Sequence, residues 1–170
     1  MPVFENLKSS LYSIEVDLYQ HSVNVVKIRQ FEQKDTDAVV QLANDFAFFD
    51  GPITEEDLKV TQAFPEGFIV AEEEKKVVGL VYGYFRDVPK EVLTTWGVSK
   101  VATIELLVVD PKYGNQGIGT LLLESLIEIL KQAGTDLIGL TCPIQAELAR
   151  QLYEKVGFEV CAHHMRMKLN

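Results

Sequence analysis

The most informative stretch of this chain is residues 104–123, which read Ile-Glu-Leu-Leu-Val-Val-Asp-Pro-Lys-Tyr-Gly-Asn-Gln-Gly-Ile-Gly-Thr-Leu-Leu-Leu. Their first part is apolar except for Glu105 and is rich in β-branched side chains, which predicts a strand. Pro111 ends that strand because proline has no N–H group to continue the hydrogen-bonded ladder. From Ile118 the apolar residues follow helical spacing, and Gly134 lies where the helix should end. The stretch therefore predicts a strand, a glycine-rich turn and a helix in direct succession.

Three glycines, Gly114, Gly117 and Gly119, lie between this strand and this helix. Glycine accepts a positive φ and allows a ligand to approach the backbone closely. The helix N-terminus adds unpaired N–H groups and the positive end of the helix dipole, which together attract a phosphate without any lysine. The pattern predicts a phosphate-binding loop, although the same glycines could serve only the turn into the helix.

Two common phosphate-binding loops do not match this turn. A P-loop has four residues between its first glycine and a Gly-Lys-Ser/Thr ending, and the chain has no such ending. A dinucleotide loop has the order G-x-G-x-x-G and an acidic residue after the next strand. Here the order is G-x-x-G-x-G, and Asp136 precedes the next predicted strand, residues 137–142. The spacing of the glycines and of the acidic residue therefore favours neither a P-loop nor a dinucleotide loop.

The turn resembles the acetyl-coenzyme A loop of the GCN5-related N-acetyltransferase (GNAT) superfamily. The pattern of that loop is Q/R-x-x-G-x-G/A after a strand that ends in Val-x-Pro. The resemblance rests on Val109-Asp110-Pro111 and on Gln116-Gly117-Ile118-Gly119. A second block at residues 149–158, Ala-Arg-Gln-Leu-Tyr-Glu-Lys-Val-Gly-Phe, is similar to the segment that ends most members.

This resemblance implies a cofactor site made largely of backbone groups. Acetyl-CoA would be the co-substrate, with its pantetheine paired to free main-chain groups of the first strand and its pyrophosphate held by the loop amides. The N–H of Val108 would polarise the acetyl carbonyl. The cofactor-binding residues implied in this way are Leu107, Val108, Val109, Gly114, Asn115, Gln116, Gly117, Ile118, Gly119 and Thr120.

Tyr153 is the first candidate catalytic residue. It occupies the position at which many members of the family place the general acid that protonates the coenzyme A thiolate. Its helix carries apolar residues at Leu148, Leu152 and Val156, so helical spacing alone would make Tyr153 a core-facing aromatic. Both interpretations are open at this stage.

Glu105 is the second candidate, as the one charge inside an apolar strand. Alternation places it on the same face as Thr103 and Leu107, where a partly buried carboxylate with a raised pKa could accept the proton of the attacking amine. Some relatives use a glutamate on this strand in that way, and others rely on water chains. A structural ion pair or an edge position is the alternative.

The resemblance implies an N-acetyltransferase that transfers the acetyl group to a primary amine by direct attack in a ternary complex. A net charge of −9 favours a small cationic amine over a protein amine and disfavours nucleic acid. Two positions depart from the family pattern: Gly114 replaces its Gln or Arg, and Ala146 replaces an asparagine that contacts pantetheine. They keep open an alternative, a catalytically weak or inactive CoA-binding or protein-interaction module with the same fold.

Composition sets the remaining limits. With 170 residues and 47% hydrophobic content the chain is the size of one ordinary domain. Cys142 and Cys161 lie in apolar stretches and are expected to act as small hydrophobes. His163 and His164 should point to opposite faces of a strand, so no metal is expected. No targeting segment or membrane span is predicted, which favours a cytoplasmic protein. A homodimer is the commonest oligomer and is possible.

The order of elements predicts the fold class. Strands at residues 25–31, 68–72, 76–85 and 101–109 precede the long helix, a strand at 137–142, a helix at 146–156 and final strands near Phe158 and His164. This α/β (α+β mixed) order predicts a central mixed, mostly antiparallel sheet of six to seven strands with helices on both faces. Residues 1–24 are expected to form an N-terminal extension and residues 25–170 the GNAT domain. Residues 86–100 are expected to form a long connection between two strands, which could line the substrate entrance or could equally be a hydrophobic flap without a ligand.

Overall fold

The computed structural model of the protein describes residues 25–47, 51–163 and 165–169. The expected extension at residues 1–24 lies outside the described residues, and so does His164. The strands are β1 (Lys27–Gln30), β2 (Phe68–Glu73), β3 (Lys76–Phe85), β4 (Val101–Val109) and β5 (Leu137–Leu140). The helices are α1 (Thr36–Phe46), α2 (Lys90–Trp96), α3 (Ile118–Gln132) and α4 (Glu147–Val156), with 3₁₀ helices at Gln33–Asp35, Glu56–Ala63, Pro65–Gly67 and Pro111–Tyr113.

The strands form one sheet in the order β1-β2-β3-β4-β5. The first three pairings are antiparallel, and β4 pairs with β5 in parallel. The predicted mixed, mostly antiparallel sheet with flanking helices is confirmed, but the described residues contain five strands where six to seven were expected.

The difference in strand number arises at the C-terminus. Residues 158–163 and 165–169 contain no strand. Their sequence alternates as predicted, but Val160, Met165 and Met167 are 63%, 87% and 80% exposed. Alternation stabilises a strand only when one face can be buried and a neighbouring strand completes the ladder. Among the described residues this segment has neither a buried face nor a strand partner.

The sheet separates two apolar cores. One, here called the α3 core, packs α3 against one face, and the other, the α1 core, packs α1 against the opposite face. The buried α3 core consists of Ile69, Ala71, Val78, Val81, Ala102, Ile104, Ile118, Leu122, Leu123, Leu126, Ile129 and Leu130. The buried α1 core consists of Val39, Leu42, Phe68, Val70, Val77, Leu80, Tyr82 and Val108.

The two connections on either side of β3 differ in character. The hairpin from β2 turns at Glu74 and Lys75, whose φ values of 48° and 69° belong to a tight left-handed turn. The connection at residues 86–100 contains α2, which ends at Gly97 with a φ of 70°. The expected long connection is therefore partly helical.

The fully buried residues lie in the part of the described chain up to Leu130. None of the described residues after Leu130 is buried, although the preceding helix is buried along its whole inner face. Helix α4 is held only by partly buried side chains on the α3 core, among them Leu152, Tyr153 and Val156. The C-terminal part is thus attached to the body by the pairing of β5 with β4 and by partly buried side chains.

Candidate active site

Strand β4 contains one extra residue at its centre. Leu106 pairs with Tyr82 and Ile104 pairs with Gly83, so Glu105 has no partner of its own in β3. Such a β-bulge interrupts the ladder and bends the strand, and bulges are common next to active sites. The strand therefore changes direction where the family resemblance locates the reaction.

The bulge reverses which face each later side chain occupies. Before it, Ile104 lies in the α3 core; after it, Leu107 and Val109 pack on that core, while Leu106 and Val108 belong to the α1 side. Uninterrupted alternation would have placed Ile104 and Leu107 on opposite faces. The prediction that Glu105 shares a face with Leu107 is therefore wrong, because alternation fails at the extra residue.

Beyond the bulge, one edge of β4 is open. β5 pairs with β4 from Val101 to Ile104 and ends at Leu140, so within the described chain residues 105–109 pair with β3 alone. Main-chain groups along that open edge need hydrogen-bond partners. Leu107 and Val109, expected to pair with pantetheine, lie on this segment, and so does Val108, whose N–H is expected to polarise the acetyl carbonyl.

The open edge leads directly to the glycine loop. Asp110 accepts a hydrogen bond from the Lys112 N–H at 2.9 Å, which fixes the turn after the strand. Asn115 and Gly117 both have positive φ, 60° and 81°. Gly117 caps α3 without any side-chain hydrogen bond, and its carbonyl accepts from Leu121 at 3.0 Å.

The first turn of α3 consequently offers free donors. The N–H groups of Ile118, Gly119 and Thr120 have no partner within the helix because the first turn lacks preceding carbonyls. They coincide with the positive end of the helix dipole. The backbone at residues 114–120 therefore fits a phosphate or pyrophosphate, and the adjacent open edge of β4 fits an amide-bearing arm such as pantetheine.

Gly119 joins this loop to α4. A Cβ atom on Gly119 would lie 3.0 Å from Leu152 Cδ2 and 3.8 Å from Val109 Cγ2. Leu152 precedes Tyr153, so the close approach of the two helices sets the position of the tyrosine. The absence of a side chain at Gly119 therefore has a packing role.

Tyr153 lies half-buried against the α3 core, with its ring edge-on to Phe158 at 5.9 Å between centroids. Burial, with a smaller contribution from the neighbouring Cys142, raises the pKa of Tyr153 to about 12. The phenol is therefore protonated at physiological pH and available as a donor. No described protein group accepts a hydrogen bond from it.

Cys142 is also protonated, because burial raises the pKa of its thiol. Its Sγ lies 3.7 Å from the carbonyl oxygens of Pro143 and Ala146. A protonated thiol is a poor nucleophile, so these contacts indicate no covalent chemistry. Cys161 is exposed and lies outside any strand, which differs from its predicted environment.

Glu105 is exposed, so the partial burial expected for it is wrong. The bulge turns its side chain away from the sheet interior. Its Oε2 atom lies 3.4 Å from the hydroxyl of Tyr84, a long contact. Burial raises the pKa of Tyr84, and the Glu105 carboxylate adds to the rise.

The structure adds two site residues that sequence reasoning missed, Tyr82 and Tyr84. They lie on the α1 side of β3, with ring centroids 5.7 Å apart. Burial, with Tyr84 and Glu105 adding, raises the pKa of Tyr82 to about 12. Two tyrosines at i and i+2 in an apolar strand were the available signal, because such spacing gives one shared face.

Metal ligands and membrane spans can be judged for the described residues only. No group of three or more His, Cys, Asp or Glu side chains among them could hold a metal ion. Across the described ranges no helix is both long and apolar enough to cross a bilayer.

Known proteins share this sequence pattern and fold. Residues 36–158 match the acetyltransferase (GNAT) family. The match extends over more than half of the chain, and the protein belongs to that family.

A curated relative, an uncharacterised N-acetyltransferase of Methanocaldococcus jannaschii, is 31% identical over 97 residues. The match covers 55% of this chain and 39% of the relative, so the chain spans less than half of that protein. A transcriptional regulator of Bacillus halodurans superimposes with a TM-score of 0.67 and 25% identity, over 85% of this chain and 99% of the other.

An aminoglycoside N-acetyltransferase solved in complex with CoA gives a TM-score of 0.68 at 14% identity, over 89% of this chain and 99% of the other. At that identity the likeness shows the fold alone. The glycine loop, the bulged strand and the adjoining helix thus lie in a GNAT fold.

Proposed function

We propose that this protein is an N-acetyltransferase that uses acetyl-CoA to acetylate a primary amine. The single observation that carries the proposal is the juxtaposition of two unsatisfied backbone surfaces. β4 is not paired with β5 after Ile104, so the edge of β4 is open from there to Val109. The glycine loop then leads from β4 to the N-terminus of α3, which has no side-chain cap. Family membership and the CoA in a solved neighbour support the same choice of cofactor.

The residues that would hold the cofactor act through their main chain. The N–H groups of Ile118, Gly119 and Thr120 would bind the pyrophosphate, and Gly117 gives the turn the positive φ it needs. Leu107 and Val109 would pair with the pantetheine amides, and the N–H of Val108 would face the acetyl carbonyl. Gly114 has no side chain to contribute, but backbone donors need none.

When bound, acetyl-CoA supplies a thioester whose carbonyl carbon is the electrophile. The amine nitrogen forms the new N–C bond, the C–S bond breaks, the nitrogen loses one proton and the departing sulfur gains one, so an N-acetylamine and free CoA result. The protein must orient both reactants and move these protons. We assign no nucleophilic side chain.

Tyr153 would donate to the departing sulfur. Its pKa of about 12 keeps it protonated, but lies above the ordinary thiol value of about 8.5, so full transfer to a free thiolate is uphill. A hydrogen bond that strengthens as the C–S bond breaks is therefore the role that fits. Glu105, exposed beside the bulge, would accept the amine proton directly or through water.

The acceptor is a primary amine, and a small cationic amine is favoured over a protein amine because the chain carries a net charge of −9. The second candidate function is a CoA-binding module without turnover. The departures at Gly114 and Ala146 favour it, since both remove side chains that relatives use near the cofactor.

Calorimetry with acetyl-CoA and a thiol-release assay over a panel of amines test the proposal. The expected result is saturable binding together with amine-dependent thiol and a matching N-acetylated product in the mass spectrum. Binding without amine-dependent thiol would instead support the binding module. Absence of binding at millimolar acetyl-CoA would contradict both functions.

A further inference from the structure

A cavity of about 120 Å³ lies between β3 and the 3₁₀ helix Glu56–Ala63. β2 pairs with β3 only as far as Tyr82, so the space beside the end of β3 is bordered by that helix instead of a strand. The lining consists of Val60, Ala63, Phe64, Tyr82, Tyr84 and Phe85. The volume is enough for about four water-sized groups.

The lining has the chemistry of an apolar site. Four of its six side chains are aromatic, and none carries a formal charge. Phe64 and Phe85 pack at 4.5 Å between centroids, and the ammonium of Lys100 lies 3.6 Å from the centre of the Phe85 ring. An ammonium ion placed inside would therefore lose its hydration and meet no carboxylate, so the cavity fits an uncharged apolar group.

A carboxylate, that of Glu105, lies beside one of the residues that line the cavity. Tyr84 both lines the cavity and approaches Glu105 at 3.4 Å through its hydroxyl. Its ring therefore connects the apolar space to the bulge in β4.

The cavity also approaches the bulge from a particular direction. Tyr82 and Leu106 pair across the bulge on the α1 side, whereas Leu107 and α3 lie on the other face. Of the aromatic side chains that line the cavity, Tyr82 and Tyr84 belong to the α1 side, whereas Phe64 and Phe85 pack on the α3 core. The cavity therefore lies at the end of β3, and Tyr84 is the lining residue that reaches the bulge in β4.

We propose that the preferred acceptor is a monoamine whose nitrogen is carried by a compact apolar group. The apolar group occupies the aromatic cavity, and the amine extends along Tyr84 to Glu105. This inference rests on the proposed acetyltransferase function and names its substrate class. A free alkylamine or arylalkylamine has this chemistry, and so does the N-terminus of a peptide with an apolar first side chain.

Two matched pairs of acceptors test the proposal. 3-Methylbutylamine is compared with 2-methoxyethylamine, and a tetrapeptide that begins with leucine is compared with one that begins with serine. We expect kcat/KM to be at least about tenfold higher for the apolar member, since one pocket methylene contributes roughly 10-fold or more. Comparable values for both members in both pairs would overturn the inference, and the pair with the higher absolute rate identifies the source of the amine.

A matched pair of variants tests the cavity itself. Val60 lines the cavity and is 58% exposed, so Val60→Asn changes the lining with little risk to folding. Gln62 lies on the same 3₁₀ helix, is exposed and does not line the cavity, so Gln62→Asn is the control. We expect Val60→Asn to lower the apolar preference about tenfold and Gln62→Asn to leave it unchanged. Equal effects of the two variants would contradict the assignment.

A binding measurement separates this inference from the proposed function. Saturation-transfer NMR of 3-methylbutylamine with the unmodified protein needs no turnover. Binding that Val60→Asn weakens supports the cavity even if no thiol is ever released. Turnover of polar amines without detectable binding of the apolar amine would support the proposed acetyltransferase function but overturn the proposed class of acceptor.

Discussion

At the scale of a single side chain, Tyr153 has two separable parts: a ring that packs in the structure and a hydroxyl that could act in catalysis. Its ring packs on Phe158 and the α3 core, and a phenylalanine would keep those contacts. Only the hydroxyl, whose pKa is raised to about 12 and which has no described hydrogen-bond partner, is available for chemistry. Removal of that oxygen therefore isolates the proposed role.

We expect Tyr153→Phe to lower kcat by about 100-fold, as for the loss of one hydrogen-bond donor to charge that develops in the transition state, and to leave acetyl-CoA affinity within about twofold. Because the pKa of Tyr153 is about 12, ionisation of this residue should cause no loss of rate below about pH 11 in the wild type. Stopped-flow thiol release and calorimetry measure the two quantities. A variant with wild-type kcat would assign Tyr153 to packing alone.

Another residue-scale feature supports the fold rather than the site. Arg29 in β1 donates to both carboxylate oxygens of Asp35 at 2.6 and 2.9 Å and to Glu72 in β2 at 2.6 Å. Asp35 also accepts from the Glu32 N–H at 2.9 Å. Burial opposes ionisation of Asp35, but these hydrogen bonds and the Arg29 charge outweigh it, so the pKa of Asp35 is lowered.

Asp35→Asn should reduce the free energy of unfolding by about 2–3 kcal/mol at pH 7, because it leaves a partly buried guanidinium with only one of its two carboxylate partners, that of Glu72. A lowered folded pKa gives stability that is present above the ordinary carboxyl pKa of about 4 and is lost as pH falls below it. The variant should therefore lose less stability on acidification than the wild type. Urea unfolding at several pH values measures both effects.

Asp37, which is exposed in the first turn of α1, provides the control. Asp37→Asn removes the same charge two residues away and should change the free energy of unfolding little. If the two variants are equally stable, the ion pairs that join β1 to β2 and to the 3₁₀ helix Gln33–Asp35 contribute nothing beyond general charge.

At the scale of elements, the N-terminus of α3 offers a test of the proposal that the glycine loop binds the cofactor. Gly117 and Gly134 flank the same helix with φ values of 81° and 85°, and at neither residue would an added Cβ meet another atom within 4 Å. Alanine at either position thus carries the same backbone strain, about 1–2 kcal/mol. Only Gly117 lies at the end proposed to bind phosphate.

Gly117→Ala should therefore weaken acetyl-CoA binding by at least tenfold, whereas Gly134→Ala should leave it unchanged at similar cost in thermal stability. Calorimetry and thermal melts of the two variants make the comparison. Equal affinities would show that the α3 N-terminus does not hold the cofactor.

Elements were predictable where one local pattern determines them. β4 has the predicted bounds of 101–109, because β-branched residues form it and a proline follows its end. α3 starts at Ile118, where the helical spacing of apolar residues was expected to begin. The bulge was not predictable, since one extra residue changes neither composition nor local propensity. Its consequences for Glu105 and Leu107 were missed with it.

The remaining errors have a tertiary origin. The segment after Phe158 has a strand pattern but no available partner among the described residues. The cavity beside Tyr84 depends on where β2 ends relative to β3, which is a property of strand pairing and not of any one segment.

At the scale of the whole molecule, stability should be unevenly distributed. The two cores end at Leu130, and no described residue of β5, α4 or the segment after it is buried. Local opening requires less free energy where few apolar contacts are lost. We expect amide hydrogens of α4 to exchange at least about tenfold faster than those of β3 and α3, measured by mass spectrometry after peptic digestion.

Acetyl-CoA should slow exchange in α3 and in α4 alike, because Gly119 and Leu152 join the loop to that helix. Protection confined to α3 would contradict this coupling. Uniform exchange rates across the chain without ligand would contradict the uneven distribution itself.

The weakly anchored C-terminal helix also bears Tyr153, the proposed hydrogen-bond donor to the departing sulfur, and this has a practical consequence for handling the protein. Warming should detach α4 and stop turnover while the sheet still gives its full circular dichroism signal. A sample that passes a spectroscopic check of folding can therefore be inactive, and storage with acetyl-CoA should preserve its rate better than storage without it.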